Sequence, residues 1–403
     1  MGSIILDLIK LPASNIPLVL GIHKISNCTK IISITVVAKT FQLSKNNWQT
    51  LFPTLVALFL TTVHIAASLN WFRTNFLVPL PTWKFVLVAY TGFLYGVITV
   101  GLFHYERVRK EAVILVNSCI HAELKLMRDG VIHHVNLYFV LFGALVISTI
   151  AVVPVAISLA ALIRPCTPPV ISSLIIQSCK DWGHDGDSGL IMRFAVGILQ
   201  YYCWLIILGV VVNGVYIPFL YPIEIKLLIL NFLKSRNGTL IQTSNKFLDE
   251  FYRTQQNFQK SGHRHLVWYR ILQLVSTNHN NAWTQPSMPV GIGGIVVAET
   301  VSLYILVTSH DQIPFLVLLI FIIIAVDCMC MYVVFKIASY PYTKSCQFIE
   351  FMKTKDGTKW IKRFMSSCPP SRLTMGDGTF FDRLTAFVVW KKSMDFLITL
   401  LLM

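Results

Sequence analysis

The chain has 403 residues, of which 55% are hydrophobic and 13% are charged, and its formal net charge is +15 at pH 7. Soluble domains carry about 25% charged residues, so the composition excludes an ordinary soluble protein and predicts a polytopic membrane protein. The positive charge fits cytoplasmic loops, which accumulate Lys and Arg. Since no compact basic module is present, we expect no nucleic-acid partner.

Residues 1–50 form the predicted cytoplasmic N-terminal segment. They alternate short apolar runs with polar breaks and hold five lysines against one acidic residue. The run Ile31–Val37 is too short to cross a membrane. It predicts a short helix that lies on the inner membrane surface.

Seven apolar runs follow, and they predict an all-α protein with seven transmembrane helices. About 20 apolar residues are needed to cross the ~30 Å hydrocarbon layer. Six runs meet this length or come close, whereas the seventh does so only if Lys391 and Lys392 are counted inside the membrane. The runs are Leu51–Leu69, Trp83–Phe103, Leu137–Ile163, Phe194–Leu220, Pro289–Val307, Pro314–Phe335 and Phe387–Met403.

The connections between the runs differ strongly in charge, which predicts the orientation. The N-terminal segment and connections 104–136, 221–288 and 338–384 together hold 26 Lys and Arg, whereas the other three connections hold four. Because cytoplasmic connections carry the excess of Lys and Arg, the N-terminus is predicted to be cytoplasmic. Seven crossings would then place the C-terminus outside the cell.

The long inner connections predict a cytoplasmic helical layer. Apolar residues recur at helical spacing in Asn245–Gln273, Ser345–Lys353 and Thr358–Met365, with charges between them. Such faces need cover, which other subunits or the lipid surface would provide. The predicted divisions are 1–50, spans one to four at 51–220, a helical loop at 221–288, spans five and six at 289–337, cytoplasmic helices at 338–384 and span seven at 385–403.

Ionisable residues inside the predicted spans are candidate functional residues, because charges in a membrane are costly. Lys391 and Asp395 lie four residues apart, so they share a helix face and are able to pair. Either these groups only hold the bundle together, or Lys392 or Asp395 faces a pore. The set comprises His64, Glu299, Asp327, Lys391, Lys392 and Asp395.

Aromatic residues in the outer halves of the spans are candidates for a ligand pocket. Tyrosine combines apolar area with a hydroxyl, which suits small organic ligands. The alternative for each residue is ordinary packing or anchoring at the membrane interface. The candidates are Tyr90, Phe93, Tyr95, Tyr201, Tyr202, Trp204 and Tyr304, although the adjacent Tyr201 and Tyr202 point in different directions.

Cys166 and Cys179 both lie in the outer connection 164–193, where a disulfide is possible. The histidines do not form paired motifs, and the sequence contains no phosphate-binding loop, nucleophile elbow or CxxC motif. We therefore expect neither an enzyme nor a bound cofactor or metal.

The C-terminal stretch carries the most specific pattern of the chain. Trp360 lies on a predicted cytoplasmic helix, followed by Ser367-Cys368-Pro369-Pro370, a glycine, Phe380-Phe381 and Asp382-Arg383 at the start of the last helix. This layout, with the predicted topology, resembles the arthropod gustatory and odorant receptor superfamily. The four signature positions of the last helix of gustatory receptors are not matched at Met394-Asp395 and Leu401-Leu402, which indicates a divergent gustatory-receptor-like member.

The resemblance implies a ligand-gated, non-selective cation channel in the plasma membrane of sensory neurons. It implies four subunits, identical or related, whose last helices line a central pore and whose cytoplasmic helices meet as an anchor. A small organic ligand would bind in the outer half of each subunit, among spans two to six. The alternative is a secondary transporter or an orphan polytopic protein without channel activity, although many transporter folds show an internal repeat that is not found here.

Overall fold

The structure is a computed structural model in which helices predominate, with 84% of the residues that it describes in helices. Side chains at 47–50, 235–238, 249–264, 309 and 330 are not described. The described residues are 14–27, 32, 34–44, 47–129, 131, 135–163, 165–166, 189–238, 249–283, 286–309, 324–354, 359–376 and 378–402.

The helices and strands are numbered in chain order. Two π-helical turns, Val212–Tyr216 and Cys330–Val334, interrupt long helices. The elements are α1 (Ile16–Ser26), β1 (Ile34–Val37), β2 (Thr40–Leu43), α2 (Asn47–Asn75), α3 (Thr82–Arg128), α4 (Leu137–Ile163), α5 (Leu190–Val211), α6 (Ile217–Gly238), α7 (Asp249–Ala282), α8 (Ser287–Ser309), α9 (Phe335–Thr354), α10 (Lys359–Ser367) and α11 (Thr385–Leu401).

Within the described residues, six helical stretches are long and apolar enough to cross a membrane. They overlap the first six predicted runs, the sixth from Ile324 onward, so the helical prediction is confirmed and the chain has the apolar helices of a multi-pass membrane protein. Helix α11 has 17 residues, or about 26 Å, so the seventh crossing and the orientation stay predictions. The six stretches are Leu51–Asn75, Thr82–Arg128, Leu137–Ile163, Leu190–Lys234, Ser287–Thr308 and Ile324–Thr354.

Two of these stretches extend well beyond a membrane. Helix α3 has 47 residues, about 70 Å, so it continues far past the predicted end of span two at Phe103. It continues because buried apolar residues such as Leu115, Cys119 and Leu126 keep recurring on one face. The stretch Leu190–Lys234 similarly runs through the π-helix Val212–Tyr216 into α6.

Together with shorter elements, the extended helices form what we call the basal layer. It comprises α1, β1, β2, residues 105–128 of α3, α6, α7, α9, α10 and residues 368–376 and 378–384. The largest hydrophobic cluster of the described residues runs through it. Trp268, Tyr269 and Leu272 on α7 are at most 1% exposed. The predicted amphipathic helices are therefore present in the described ranges, and this chain itself covers these residues of α7 together with Phe348 and Met352 of α9, whereas Trp360 on α10 is 60% exposed.

The N-terminal segment corrects one prediction. The run Ile31–Val37 was expected to form a short surface helix, but Ile34–Val37 is the first strand of an antiparallel hairpin with Ile34 opposite Leu43. A row of β-branched residues favours the strand. Ala38 and Lys39 form the turn with φ values of 48° and 65°, as two-residue hairpin turns of the primed type require.

The hairpin packs on α3 rather than on lipid. The Asn117 side chain accepts a hydrogen bond from Phe41 N at 2.9 Å and donates one to Phe41 O at 2.8 Å. Phe41 itself is 3% exposed. The amide of Asn117 therefore takes the place that a further strand would occupy.

Candidate functional site

Four polar or aromatic side chains from three helices meet inside the bundle. The ring of His64 on α2 stacks on Tyr95 of α3 with centroids 4.0 Å apart, and Trp204 of α5 meets the same tyrosine edge-on at 6.2 Å. His64 Nδ1 lies 2.7 Å from Leu60 O and therefore donates to it. His64 Nε2 then accepts a hydrogen bond from Gln200 Nε2 at 2.9 Å, so this histidine is neutral.

The other predicted pocket residues do not join this group. Tyr90 and Tyr304 lie in a separate cluster with Trp71 and Trp83, toward the end of the bundle opposite the basal layer. Tyr201 is 41% exposed on the outside of α5. The predicted aromatic residues are thus divided between two clusters. Phe93 and Tyr202 are likewise outside the His64 group: Phe93 is 42% exposed, and Tyr202 packs against the main core.

A cavity of about 200 Å³ adjoins the Tyr95–Trp204 group on its basal side. Ile98 and Ile207 belong both to the hydrophobic cluster of Tyr95 and to the cavity wall. The wall is formed by α3, the end of α5, the first π-helix and the junction of α7 with α8, and it is almost entirely apolar. Most lining residues are valine, isoleucine or glycine, which a search for polar or aromatic residues passes over.

The π-helix Val212–Tyr216 shapes this cavity and holds the N-terminal helix. A side chain at Gly214 would come within 2.7 Å of Tyr105 Cδ2, so only glycine lets the helix approach that ring. The neighbouring Asn213 accepts a hydrogen bond from His23 Nδ1 at 2.5 Å and donates to Ser26 Oγ at 2.7 Å. Burial lowers the pKa of His23, while its hydrogen bond to Asn213 opposes that shift.

Two buried carboxylates lie in the apolar bundle. Glu299 on α8 is 1% exposed and accepts a hydrogen bond from Cys328 Sγ at 3.5 Å, and Asp327 is 9% exposed within electrostatic reach of it. The structure thus brings two predicted intramembrane residues together. In the adjacent turn, Thr300 Oγ1 donates to Ser393 O at 3.2 Å, which joins the middle of α8 to α11.

Helix α11 has two different faces. Thr385, Ala386, Val389 and Ser393 are buried against the bundle. The opposite face, which we call the α11 stripe, is exposed and carries charges in its middle. It consists of Phe387, Val388, Lys391, Lys392, Asp395, Ile398 and Leu402. Among the described residues, the structure places no salt bridge on Lys391, Lys392 or Asp395, so the predicted Lys391–Asp395 pair is not formed.

The C-terminal motif that carries the family resemblance docks on α7. Tyr269 donates to Pro369 O at 3.0 Å, and the hydroxyls of Ser276 and Ser371 lie 2.6 Å apart. Asn280 donates to Arg372 O and accepts from Thr374 N, both at 3.1 Å. This segment therefore fixes the start of α11 to the basal layer.

Phe381 links this segment to the cavity region. It is fully buried and packs against Phe219 and Phe335. Phe219 in turn contacts Trp283, which lines the cavity. A continuous aromatic contact path therefore connects the cavity wall with the start of α11.

No protein-family model matches this chain, and a search of the curated proteins finds no significant match. The resemblance to the chemoreceptor superfamily therefore rests on the C-terminal motif and the predicted topology, and it stays a proposal.

Sequence reasoning missed a group of buried charges in the basal layer. Glu123 accepts hydrogen bonds from Ser14 Oγ, Asn15 N and Tyr221 at 2.9, 2.6 and 2.8 Å. Glu224 accepts hydrogen bonds from Asn136 and Tyr138. Glu224 and Lys226 interrupt an apolar run, which was the one available signal in the sequence.

Cys166 is disulfide-bonded, but Cys179 lies outside the described residues, so the Cys166–Cys179 pairing stays a prediction. In the described ranges, no group of three or more His, Cys, Asp or Glu is placed to hold a metal ion.

Proposed function

We propose that this protein is a chemosensory receptor of the gustatory or odorant type that acts as a ligand-gated, non-selective cation channel. The observation that carries the proposal is the α11 stripe, an exposed row that contains Lys391, Lys392 and Asp395 on an otherwise apolar helix. The resemblance of the C-terminal motif supports the same function.

The argument rests on the cost of charge in lipid. A charged side chain at the centre of a bilayer costs about 2.5–3.5 kcal/mol or more, so such residues face the bundle interior or water. Ser393 contacts Thr300 in the middle of α8, so the charged part of α11 lies level with the apolar bundle. Water between several copies of α11 would remove this cost, as in a central pore.

The order of charges along the stripe bears on selectivity. Asp395 follows the two lysines by one turn, so copies of the chain around an axis would form a carboxylate ring beyond a ring of lysines. Carboxylate rings favour cations and lysine rings repel them. We propose that Asp395 binds the permeating cation and that Lys391 and Lys392 limit conductance.

The proposed assembly is a tetramer, of one subunit or of related subunits, in the plasma membrane of sensory neurons. The proposed agonist is a small organic molecule. Among the predicted pocket residues, Tyr95 and Trp204 are the ones in mutual contact, together with His64, and they are the first positions to test for agonist recognition.

Current recording from oocytes tests the proposal. Oocytes that express the chain, alone or with a related subunit, are exposed to sugars, bitter compounds and volatiles. We expect an inward cation current that Asp395→Asn makes less cation-selective and that the double change Lys391→Gln and Lys392→Gln increases. Lys359→Gln, on exposed basal α10, is the control and should change neither. Unchanged selectivity in Asp395→Asn at normal surface expression would contradict a pore lined by α11.

A secondary transporter is the second candidate, because Glu299 and Asp327 are buried together in the bundle. Intramembrane carboxylates carry protons or cations in transporters. Transport without unitary channel openings, abolished by Glu299→Gln and unaffected by Asp395→Asn, would favour it over the channel.

A further inference from the structure

We propose that the cavity between α3, the first π-helix and the start of α8 binds a small, uncharged aromatic molecule with one hydrogen-bonding group, which enters from the lipid. The site is distinct from the predicted tyrosine pocket, and binding to it does not require that the protein be a channel.

The size of the cavity sets the size of the occupant. An apolar cavity of about 150 Å³ is known to bind benzene, so a cavity of about 200 Å³ has room for a substituted benzene or a small fused ring. Its wall is almost wholly apolar, which excludes a sugar or a charged molecule, because their polar groups would lose their hydration without replacement.

One end of the cavity supplies the polar contact. The imidazole of His104 lies there with Tyr105 and Trp283, and its ring nitrogens are buried. The backbone of Ala282 lies within hydrogen-bonding reach of one nitrogen, and the other nitrogen has no side-chain partner in the described part. A neutral imidazole that donates to Ala282 still offers an accepting nitrogen, which suits a hydroxyl group. The rings of Tyr105 and Trp283 offer aromatic surface beside it.

The rim of the cavity indicates the route of entry. Val100, Val211 and Val215 line the cavity and are 36%, 42% and 44% exposed on the outside of the bundle. They belong to helical stretches that are apolar enough to lie in a membrane. A molecule that partitions into the hydrocarbon layer therefore reaches the cavity sideways, without passing through water.

The local backbone supports a binding role. Gly214 and Val215, both in the wall, belong to the π-helix Val212–Tyr216. π-helical turns are rare and occur frequently at functional sites, since one extra residue in the turn costs stability. Here Gly214 brings the turn against the ring of Tyr105, where a Cβ would come within 2.7 Å, and both residues form part of the cavity wall.

Glycines provide matched variants for the test. Gly101 lines the cavity, and a Cβ added there meets no atom within 4 Å, so the backbone accepts Gly101→Leu, and we expect the longer side chain to narrow the cavity. Gly96, on the same helix, is equally open but does not line the cavity, so Gly96→Leu is the control. Gly291 on α8 also lines the cavity and is equally open to a Cβ, so we expect Gly291→Leu to narrow the cavity, and it serves as the second variant if Gly101→Leu does not fold.

The experiment is photolabelling of the purified full chain in lipid nanodiscs with a trifluoromethyl-diazirinyl phenol, followed by peptide mass spectrometry. We expect saturable labelling of peptides that contain residues 97–108 and 282–291, and competition by unlabelled 2-naphthol. Gly101→Leu should raise the half-saturating concentration about tenfold or more, whereas Gly96→Leu should leave it unchanged.

Three results would overturn the proposal. The first is labelling that rises linearly with probe concentration, and the second is equal labelling of Gly101→Leu and the wild type. The third is a co-purified lipid whose acyl chain occupies the cavity formed by the same segments. Because binding is read directly, loss of oocyte current would leave this proposal standing, and loss of saturable labelling would leave the channel proposal standing.

Discussion

At the residue scale, the contact between Lys226 and His279 shows how burial fixes a protonation state. Lys226 is 1% exposed, and its Nζ lies 3.0 Å from His279 Nδ1. Burial lowers the pKa of Lys226 to about 7, so below that pH its Nζ is an ammonium group, which only donates; Nδ1 then accepts and His279 is neutral. Burial holds the pKa of His279 well below its usual range, and the charge of Lys226 lowers it further.

This contact predicts loss of stability in acid. The folded state binds fewer protons at His279 than the unfolded state, so stability is complete above the unfolded pKa of about 6.5 and falls as the pH decreases below it. His279→Gln keeps an acceptor for Lys226 and removes the titration. The melting temperature of the purified protein in detergent should therefore fall less between about pH 8 and about pH 5 for His279→Gln than for the wild type.

The pKa of His23 is also lowered, and His23→Gln is the comparison on α1. We expect His23→Gln to reduce the pH dependence of the melting temperature independently. The melting temperature of the double variant should then change less with pH than that of either single variant. Identical pH profiles for the wild type and His279→Gln would contradict the buried neutral state of His279.

Single residues could be predicted where their type alone carries the signal. Tyr95 and Trp204 were found because aromatic residues in apolar runs are candidates by type, and Glu299 and Asp327 because charge in a span is costly. The partners could not be predicted, because His64 and Gln200 are 136 positions apart in the sequence. The cavity was missed because valines and glycines of separate helices define it only once they are packed.

At the element scale, the hairpin shows where prediction from the local sequence pattern fails. The turn Ala38-Lys39 contains neither glycine nor asparagine, so the usual sequence signal for a two-residue turn is missing. Only the pairing of Phe41 with Asn117 reveals what the hairpin packs against. The first π-helix was not predicted either, because the close approach of Gly214 to Tyr105 joins residues that are far apart in the sequence.

Asn117→Leu tests how the hairpin is held. It leaves the N–H and C=O groups of Phe41 without their partner, at a cost of about 1–3 kcal/mol for each unpaired buried group. We expect faster proteolytic cleavage of the N-terminal segment and a lower melting temperature in detergent.

Ser118→Ala is the matched control for this change. The neighbouring Ser118 is half-buried, and it donates within its own helix to Ile114 O in an exposed hydrogen bond, so its loss should leave both readouts unchanged. Equal protease resistance of Asn117→Leu and the wild type would show that the hairpin does not depend on the amide of Asn117.

At the scale of the whole molecule, the α11 stripe predicts self-assembly. If four copies surround a water-filled path, native mass spectrometry of the purified protein should give about four times the chain mass of 45.6 kDa. The double change Lys391→Leu and Lys392→Leu then places apolar side chains in the water-filled path. We expect the mass of the tetramer to be unchanged and the current to fall.

A monomer would behave in the opposite way. Its stripe would face lipid, and replacing both lysines by leucine would raise the melting temperature, because a charge in lipid is removed. A single-chain mass together with that rise would exclude the proposed pore.

The lipid bilayer explains which parts of the whole molecule could be predicted from the sequence. Six apolar helices were predictable because lipid forces backbone polar groups to bond within a helix. Helices of the basal layer were predicted, but not that the same chain covers Trp268 and Tyr269. The sequence pattern around these residues is the same whether they pack against another subunit or against helices of their own chain.

The length of α3 gives the molecule a mechanical property. About 40 Å of this rod lies beyond a hydrocarbon layer of about 30 Å, and Glu123, which holds the start of α1, is near its far end. Membrane helices change their tilt to match bilayer thickness. A change in tilt of about 10° would move the far end sideways by about 7 Å, so we expect a change in bilayer thickness to displace the part of the basal layer that α3 holds.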